Sequence, residues 1–488
     1  MQEIKKFLFQ NNSIRQTVAK NTFWAAFGTT ITKILRITLI IFIARVLGAD
    51  NYGVFTYALS IVGVFTIFSD IGLTSILTRE LTKRNQDKNN YLATAFLVKI
   101  GFLISTIVLI IIFGPLITKF NSAKPLLVIL ALTTILESLR NFFFAITRSE
   151  NQMEKEAALN IAIEVIISLG IIFIFFRQPS LQILARTYFI GNLIGLIVTL
   201  FFFKPYLNQI INNIKFNLIK PILRAAWPFA LMGVFGVFMS NIDSIIIGLF
   251  NNTHTLGLYA VAQRPISFLY ILPGFLSVSI FPIINRFSKN NENTKIATTI
   301  SKSTLLSLAI ALPITLGGII VANPLINIMF GSQYLGSVCT FQILLITLIF
   351  VFPGSILSDL LLAEDRRRAL IWSSFWTAAT NVILDLILIP KFGIIGSAIA
   401  TVVAQMILTI IYYLIIKKTT DLKIVTETKK IILSAIIMSA ITFLLLKLSL
   451  PLILIIIISA IIYILNLFIL KEKIIEEIFK SFKSTSKA

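Results

Sequence analysis

Residues 22–47 read TFWAAFGTTITKILRITLIIFIARVL. This run exceeds the ~20 predominantly apolar residues that cross about 30 Å of hydrocarbon, so it is expected to span a membrane. It is too long for a signal-peptide core and leads straight into another apolar run, so the N-terminus is expected to stay on the mature protein. Yet it carries Lys33 and Arg36, three residues apart and therefore on one helical face. A membrane helix with two cations on one face and no anion of its own sets the problem that the rest of the chain must solve.

The whole chain has the same character. Of its 488 residues, 57% are hydrophobic and 13% charged, against about 25% charged in an average soluble domain. A single cysteine, Cys339, and a single histidine, His254, exclude a disulfide framework, a zinc cluster or a Cys/His catalytic pair within one chain. The net charge of +22 would suggest nucleic acid in a soluble protein. Here the basic clusters alternate with apolar segments instead of forming one stripe, which argues against nucleic acid and for contact with membrane lipids.

Windows of about 20 residues give fourteen spans. The first six run from about Thr22 to Leu47, Tyr52 to Leu77, Tyr91 to Ile117, Leu126 to Thr147, Ala157 to Phe176 and Leu181 to Phe203. The next six run from about Arg224 to Phe250, Leu256 to Ile284, Ser303 to Val321, Gly336 to Leu362, Ala369 to Ile389 and Phe392 to Ile416. Two more lie near Lys430–Leu446 and Leu450–Leu470. The expected fold is therefore an all-α polytopic membrane protein with fourteen transmembrane helices. Sorting the 43 Lys and Arg places thirty-one in the even-numbered loops and both tails, six at the odd-numbered loops and six inside spans. Cytoplasmic loops retain positive charge, so both termini are expected to be cytoplasmic. The Phe residues, 41 in all, read mostly as lipid-facing bulk. Residues 471–488 carry Ile474, Ile475, Ile478 and Phe482 at helical spacing among Lys and Glu. That suits a helix lying on the membrane surface or a plain solvated end.

Internal symmetry is weak but well placed. Gly53-Val54-Phe55-Thr56-Tyr57-Ala58 enters the second span, and Gly257-Leu258-Tyr259-Ala260-Val261-Ala262 enters the eighth, each with an aromatic two residues and Ala five residues after the Gly. The pattern implies two pseudo-symmetric six-helix lobes, residues 20–213 and 214–420. They are preceded by a cytoplasmic segment, 1–19, and followed by an appended helix pair, 421–470, and the basic tail, 471–488.

These features, together with Ala44-Arg45-Val46-Leu47-Gly48-Ala49 leading to Tyr52-Gly53, Asp70-Ile71-Gly72-Leu73, Asp243 with Gly248, and Ile389-Pro390-Lys391-Phe392-Gly393-Ile394-Ile395-Gly396, carry a family resemblance. The chain resembles the polysaccharide and oligosaccharide flippases of the multidrug/oligosaccharidyl-lipid/polysaccharide exporter superfamily. The resemblance implies a multi-pass transporter of the cytoplasmic membrane that moves a polyprenyl-pyrophosphate-linked oligosaccharide from the inner to the outer leaflet by alternating access. It implies no bond chemistry and no cofactor, with H+ or Na+ as open alternatives for coupling. Partners implied with it are polysaccharide polymerase and chain-length regulator proteins.

An ionisable residue at the bilayer centre costs about 2.5–3.5 kcal/mol, so cations within spans must face a cavity or a counter-charge. Lys33, Arg36, Lys99, Arg140, Arg186 and Arg264 share the spans with Asp70, Glu137, Glu164, Asp243, Asp359 and Asp385. Lys33, Arg36, Lys99, Arg140 and Arg264 are the candidate substrate-binding cations, since guanidinium and ammonium groups bind phosphate oxygens with charge-assisted bonds. Arg264 is named because the related lipid II flippases, by resemblance, carry a cavity arginine there. Asp70, Glu137, Glu164 and Asp243 are candidates for counter-charges or a coupling ion. The bland alternatives remain open: Arg36 or Lys33 in an ion pair to Asp70, Glu137 or Glu164, and Glu137 paired with Arg140 one turn away. Arg186 reads as a snorkelling residue, and Asp359 and Asp385 as helix-end residues reaching water.

A multidrug exporter of the same superfamily would need an anionic or aromatic cavity for cationic drugs, and the first helix carries two cations instead. A membrane glycosyltransferase or polymerase would need carboxylates in large outer loops. The longest odd-numbered loop expected is only Ala322–Leu335, without acidic residues. If the charge sorting is right, cysteines placed at Asn251 and Ser484 in intact cells will differ, with only the first reacting with an impermeant maleimide. Reaction at both would overturn the orientation.

Overall fold

The computed structural model describes residues 9–11, 13–83, 87–290, 292–420, 428–448 and 450–470. The described residues are almost entirely helical. Helix α1 (Ile14–Phe65) starts at Ser13, whose side chain accepts the backbone N–H of Gln16 at 3.2 Å, and bends at Gly48 (φ 74°, ψ 169°). That backbone conformation suits glycine alone. It is followed by α2 (Ile67–Asp70), α3 (Leu73–Lys83), α4 (Lys88–Ile117), α5 (Lys124–Ser149), α6 (Met153–Phe175), α7 (Leu181–Phe202), α8 (Lys204–Asn212) and α9 (Ile219–Phe250). Then come α10 (Thr253–Leu269), α11 (Ile271–Lys289), α12 (Asn293–Phe330), α13 (Val338–Leu345), α14 (Leu348–Ala363), α15 (Arg367–Phe392), α16 (Ile394–Lys417), α17 (Lys429–Lys447) and α18 (Leu452–Ile469).

Among the described residues, 12 helical stretches are long and apolar enough to cross a membrane. They coincide in order with the third to fourteenth expected spans. The first two expected spans fall in α1, α2 and α3, and the second of them is not one rod. It breaks at Thr66 and again at Ile71 and Gly72, which take φ values of 41° and 74°. The expected loop Ala322–Leu335 is mostly helix, because α12 continues to Phe330 and stops only at Gly331 (φ 96°). The terminal tail 471–488 and residues 1–8 and 12 of the N-terminal segment lie outside the described residues.

The chain forms two compact units, Met1–Ala260 and Val261–Ala488. Helix α9 packs within the first unit against α1. Gly63 abuts the Asn241 side chain, and Gly248 lies against the Tyr57 ring. The two sequence motifs meet there as well. A Cβ on Gly53 would overlap the carbonyl of Thr253, and one on Gly257 would overlap the carbonyl of Ala49. The repeat is thus a reciprocal backbone clasp, which glycine permits by lacking a side chain.

In the first unit Phe142, Phe143 and Phe144 are completely buried in a cluster with Leu77, Tyr91 and Leu92. Phe therefore also builds core, although Phe173, Phe176 and Phe201 remain well exposed. In the second unit, Ile284, Ile300, Leu360 and Ile416 form one cluster. A second joins α12 to α17 and α18 around Met438 and Tyr463, with the Tyr463 hydroxyl donating to the Ala309 carbonyl at 2.7 Å. The hairpin between α15 and α16 turns at Gly393 (φ 57°), as the Pro390–Gly396 motif requires.

Valine at Gly257 should force α1 and α10 apart at a cost of about 1–3 kcal/mol or more. Alanine at Gly101, which has nothing within 4 Å, should be neutral. Thermal melting of the detergent-solubilised variants will separate the two, and equal melting temperatures would refute the clasp.

Candidate functional site

A cavity of about 390 Å³ opens between α1, α5 and α6. Close packing at one point and bulky charge beyond it create the space. At Gly28 an added Cβ would lie 2.6 Å from the Ala157 Cβ, so α1 and α6 nearly touch. About one to two turns further along α1, Lys33 and Arg36 line the cavity.

Arg36 grips Glu164 through two bonds, Nε to Oε1 at 3.3 Å and Nη2 to Oε2 at 3.2 Å. A second carboxylate, Glu137, stands 3.8 Å from the same Nη2. The Arg36 side chain is nevertheless 50% exposed, while that of Glu164 is 5% exposed. One side of the guanidinium is anchored and the other faces the cavity. Arg140, 5% exposed, donates from Nη1 to Asn192 Oδ1 at 3.2 Å, and its Nε has no partner among the described residues. Asn192 is held for this contact by its own bond to the Tyr188 carbonyl at 3.0 Å. Lys33 lines the cavity and makes no ion pair among the described residues. Lys33, Arg36, Arg140 and Arg148 face Glu137, Glu156 and Glu164 in the lining, leaving one positive charge in excess.

The other candidates lie elsewhere. Lys99 is fully buried, with Nζ 2.8 Å from both Asp70 Oδ1 and Ser138 Oγ. Asp70 also accepts from the Thr74 hydroxyl. This pair ties α4 to α2 and α5 and is not part of the cavity lining, so Asp70 is a counter-charge to Lys99. Glu137 turns to Arg36 rather than to Arg140. Asp243 is 2% exposed and accepts the Tyr259 hydroxyl at 2.7 Å, joining α9 to α10 within the first unit. Arg264 lies in the second unit, partly buried, with an enclosed Nε that has no hydrogen-bond partner among the described residues. Arg186 is exposed, as expected of a snorkelling residue. Asp385, expected to reach water, is instead completely buried, because α15 continues to Phe392 and α16 folds back beside it.

Sequence reading missed Arg148, which holds Glu156 by Nε to Oε2 at 2.9 Å and Nη2 to Oε1 at 2.5 Å. It also missed buried Lys20, bound to Glu154 at 3.0 Å and to the Asn151 carbonyl at 2.9 Å. Trp24, Asn141 and Asn160 were likewise absent from the candidates, though all three line the cavity. Trp24, Gly28, Thr32 and Arg36 recur at four-residue steps, and that spacing was readable.

The protein is a multi-pass membrane protein with a charged cavity in its first unit. Residues 18–288 match the family described as polysaccharide biosynthesis protein, and the chain belongs to that family. A relative from Haloferax volcanii, named "Probable low-salt glycan biosynthesis flippase Agl15", is 25% identical over 373 residues, covering 76% of this chain and 78% of its own. The Staphylococcus aureus capsular polysaccharide biosynthesis protein CapF is 19% identical over 408 residues, covering 82% of this chain and 100% of its own. Among solved structures, the lipid II flippase MurJ in an inward closed conformation shares the fold with a TM-score of 0.73 at 20% identity. It covers 93% of this chain and 97% of that one.

Removing Asp70 should destabilise the protein by about 3–5 kcal/mol, because Lys99 is left fully buried without its counter-charge, and removing Lys99 should cost less, because the Asp70 side chain is 34% exposed. In a double-mutant cycle, Lys99→Met with Asp70→Asn should cost less than the sum of the single changes. Additive losses in melting experiments would show that the two do not interact.

Proposed function

We propose that the protein is a flippase that carries a polyprenyl-pyrophosphate-linked oligosaccharide from the inner to the outer leaflet of the cytoplasmic membrane, by alternating access, for cell-surface polysaccharide biosynthesis. The observation that carries this reading is Arg36. It is a cation inside a span, anchored to Glu164 yet half exposed to a cavity with one positive charge in excess. An anionic head group fits that excess, and a cationic drug does not. The names of the relatives, a glycan biosynthesis flippase and a capsular polysaccharide biosynthesis protein, agree with such a substrate.

In this reading the chain crosses the membrane fourteen times with both termini inside, the two arms of α1 on either side of Gly48 belonging to the first two crossings. Lys33 and the open side of Arg36 receive the pyrophosphate, and Arg140 backs them. A phosphate drawing Arg36 away would leave Glu164 buried without its counter-charge, a charge that a coupling ion, H+ or Na+, would neutralise. The reciprocal glycine clasp between α1 and α10 is the contact that would part when access alternates, and the exported glycan would pass to the polymerase and its chain-length regulator.

Arg36→Ala should abolish glycan export beyond any loss of protein from the membrane, since Glu164 loses its counter-charge, and Arg264→Ala should abolish it with the amount of protein unchanged. Surface glycan measured in cells that depend on the variant provides the test. Undiminished export by the double variant would sink the assignment.

A further inference from the structure

The start of α9 has two opposed faces. Ile222 and Ala226 are buried in the core cluster of the first unit. On the other face Lys220, Leu223, Arg224 and Trp227 are exposed, and with Phe216 and Ile219 they line an open groove of about 580 Å³. The chain leading into the groove is fastened to α4. The Lys215 N–H donates to Thr94 Oγ1 at 3.0 Å, and the Thr94 hydroxyl lies 3.2 Å from the Lys215 carbonyl. This groove shares no lining residue with the cavity that holds Arg36.

Its charge is one-sided. Lys220 and Arg224 stand one turn apart on the same face, an arrangement in which like charges repel. Neither makes an ion pair or hydrogen bond to another described residue, and no carboxylate lines the groove. They also sit at the positive end of the helix dipole, where acidic residues are favoured. The first turn of α9 contains no acidic residue, and no side chain caps it. Two cations and a helix N-terminus thus converge on an open groove, and an anion is what that groove lacks.

The apolar lining says which kind of anion. At 32 residues α9 is about 48 Å long, some 18 Å more than the roughly 30 Å of hydrocarbon it would cross. That excess leaves Lys220 and Arg224 at the level of the lipid head groups, with Trp227 one turn nearer the hydrocarbon. A free phosphate would engage the cations and leave Phe216, Leu223 and Trp227 in contact with water. A phospholipid uses every part: its phosphate oxygens take charge-assisted bonds from the guanidinium and ammonium, and the first carbons of its chains lie along Leu223 and the Trp227 indole, a ring suited to the interface. A zwitterionic lipid brings an ammonium of its own, so the uncompensated positive charge favours an anionic one.

We propose that Phe216, Lys220, Leu223, Arg224 and Trp227 form a binding site for an anionic phospholipid, on the face that the orientation given above makes cytoplasmic and apart from the substrate cavity. The site rests on that orientation and not on the identity of the substrate. A lipid held there braces α9, which packs against α1 where Gly63 meets Asn241 and Gly248 meets Tyr57.

The test offers dioleoylphosphatidylglycerol to delipidated full-length protein in a neutral detergent and counts lipid adducts by native mass spectrometry, with dioleoylphosphatidylcholine for comparison. Wild-type protein should bind the anionic lipid about tenfold more tightly. Lys220→Gln combined with Arg224→Gln should remove that preference, leaving phosphatidylcholine binding and the melting temperature in detergent unchanged, because both side chains are exposed and unpaired. Trp227→Ala should weaken phosphatidylglycerol binding several-fold, and Trp227→Phe should retain most of it. Lys417→Gln combined with Lys418→Gln, at another exposed basic pair, controls for net charge and should leave the preference intact. Glycerol phosphate at the same concentration should not displace the lipid. An equal loss in the two double variants, no loss in either, or displacement by glycerol phosphate would overturn the site. Stronger displacement by a polyglutamate peptide would assign the groove to an acidic protein segment and overturn it equally. No substrate enters these measurements, so each outcome leaves the flippase reading where it stands.

Discussion

Arg36 cannot stand in hydrocarbon alone. With α1 as a membrane crossing, as proposed above, an uncompensated charge at mid-membrane costs about 2.5–3.5 kcal/mol, and the helix that carries Lys33 and Arg36 is tolerable only where another helix brings a carboxylate. The α6 helix does so with Glu164, and it reaches Arg36 because Gly28 and Ala157 let the two backbones approach nearby. A second cation close by, Arg140, then needs a neutral acceptor, since Glu164 and Glu137 are both turned to Arg36. Asn192 supplies one, itself oriented by the Tyr188 carbonyl. The arrangement of α1, α5, α6 and α7 follows from that chain of requirements.

The same requirement has a different outcome at Lys99. Its ammonium is sealed from solvent, and Asp70 and Ser138 occupy it at 2.8 Å. Nothing else can reach that ammonium, so the pair fastens helices together. Arg36 engages its carboxylates at 3.2 to 3.8 Å and keeps half its surface open. Two cations of equal standing in the sequence thus differ in kind, and exposure separates them more clearly than residue type.

Much of this was legible in the sequence. The twelve hydropathic helices appear in order because a length of apolar chain is a local property. Their ends were less legible, since α12 continues past its apolar core through Asn323 and Pro324 to Phe330. The breaks at Ile71 and Gly72 were also hidden, because an isoleucine with φ of 41° follows from tertiary packing and not from propensity. At the site, Lys33, Arg36, Glu137, Arg140 and Glu164 were all candidates and do line one cavity. The pairing among them was not readable. A three-residue spacing favours Glu137 with Arg140, and only the approach of α1 redirects Glu137. Trp24 escaped because an aromatic residue near a span end ordinarily marks the membrane interface.

The glycine motifs show how a weak pattern acquires meaning in three dimensions. Gly53 and Gly257 each sit where any side chain would strike the opposing backbone, the Thr253 carbonyl at Gly53 and the Ala49 carbonyl at Gly257, so the residues match across the repeat because each makes room for the other helix. Such a contact has no side chain to rearrange, and its attraction falls away within about an ångström of separation. It is therefore either made or lost as a whole. The Arg36 pair behaves in the opposite way. Its charges act over several ångströms, and its partners can be exchanged one at a time while the helices stay in place. The first unit combines both kinds of contact along α1, one at each side of Arg45, so a change in what Arg36 holds and a change in whether Gly53 stays clasped act on the same helix.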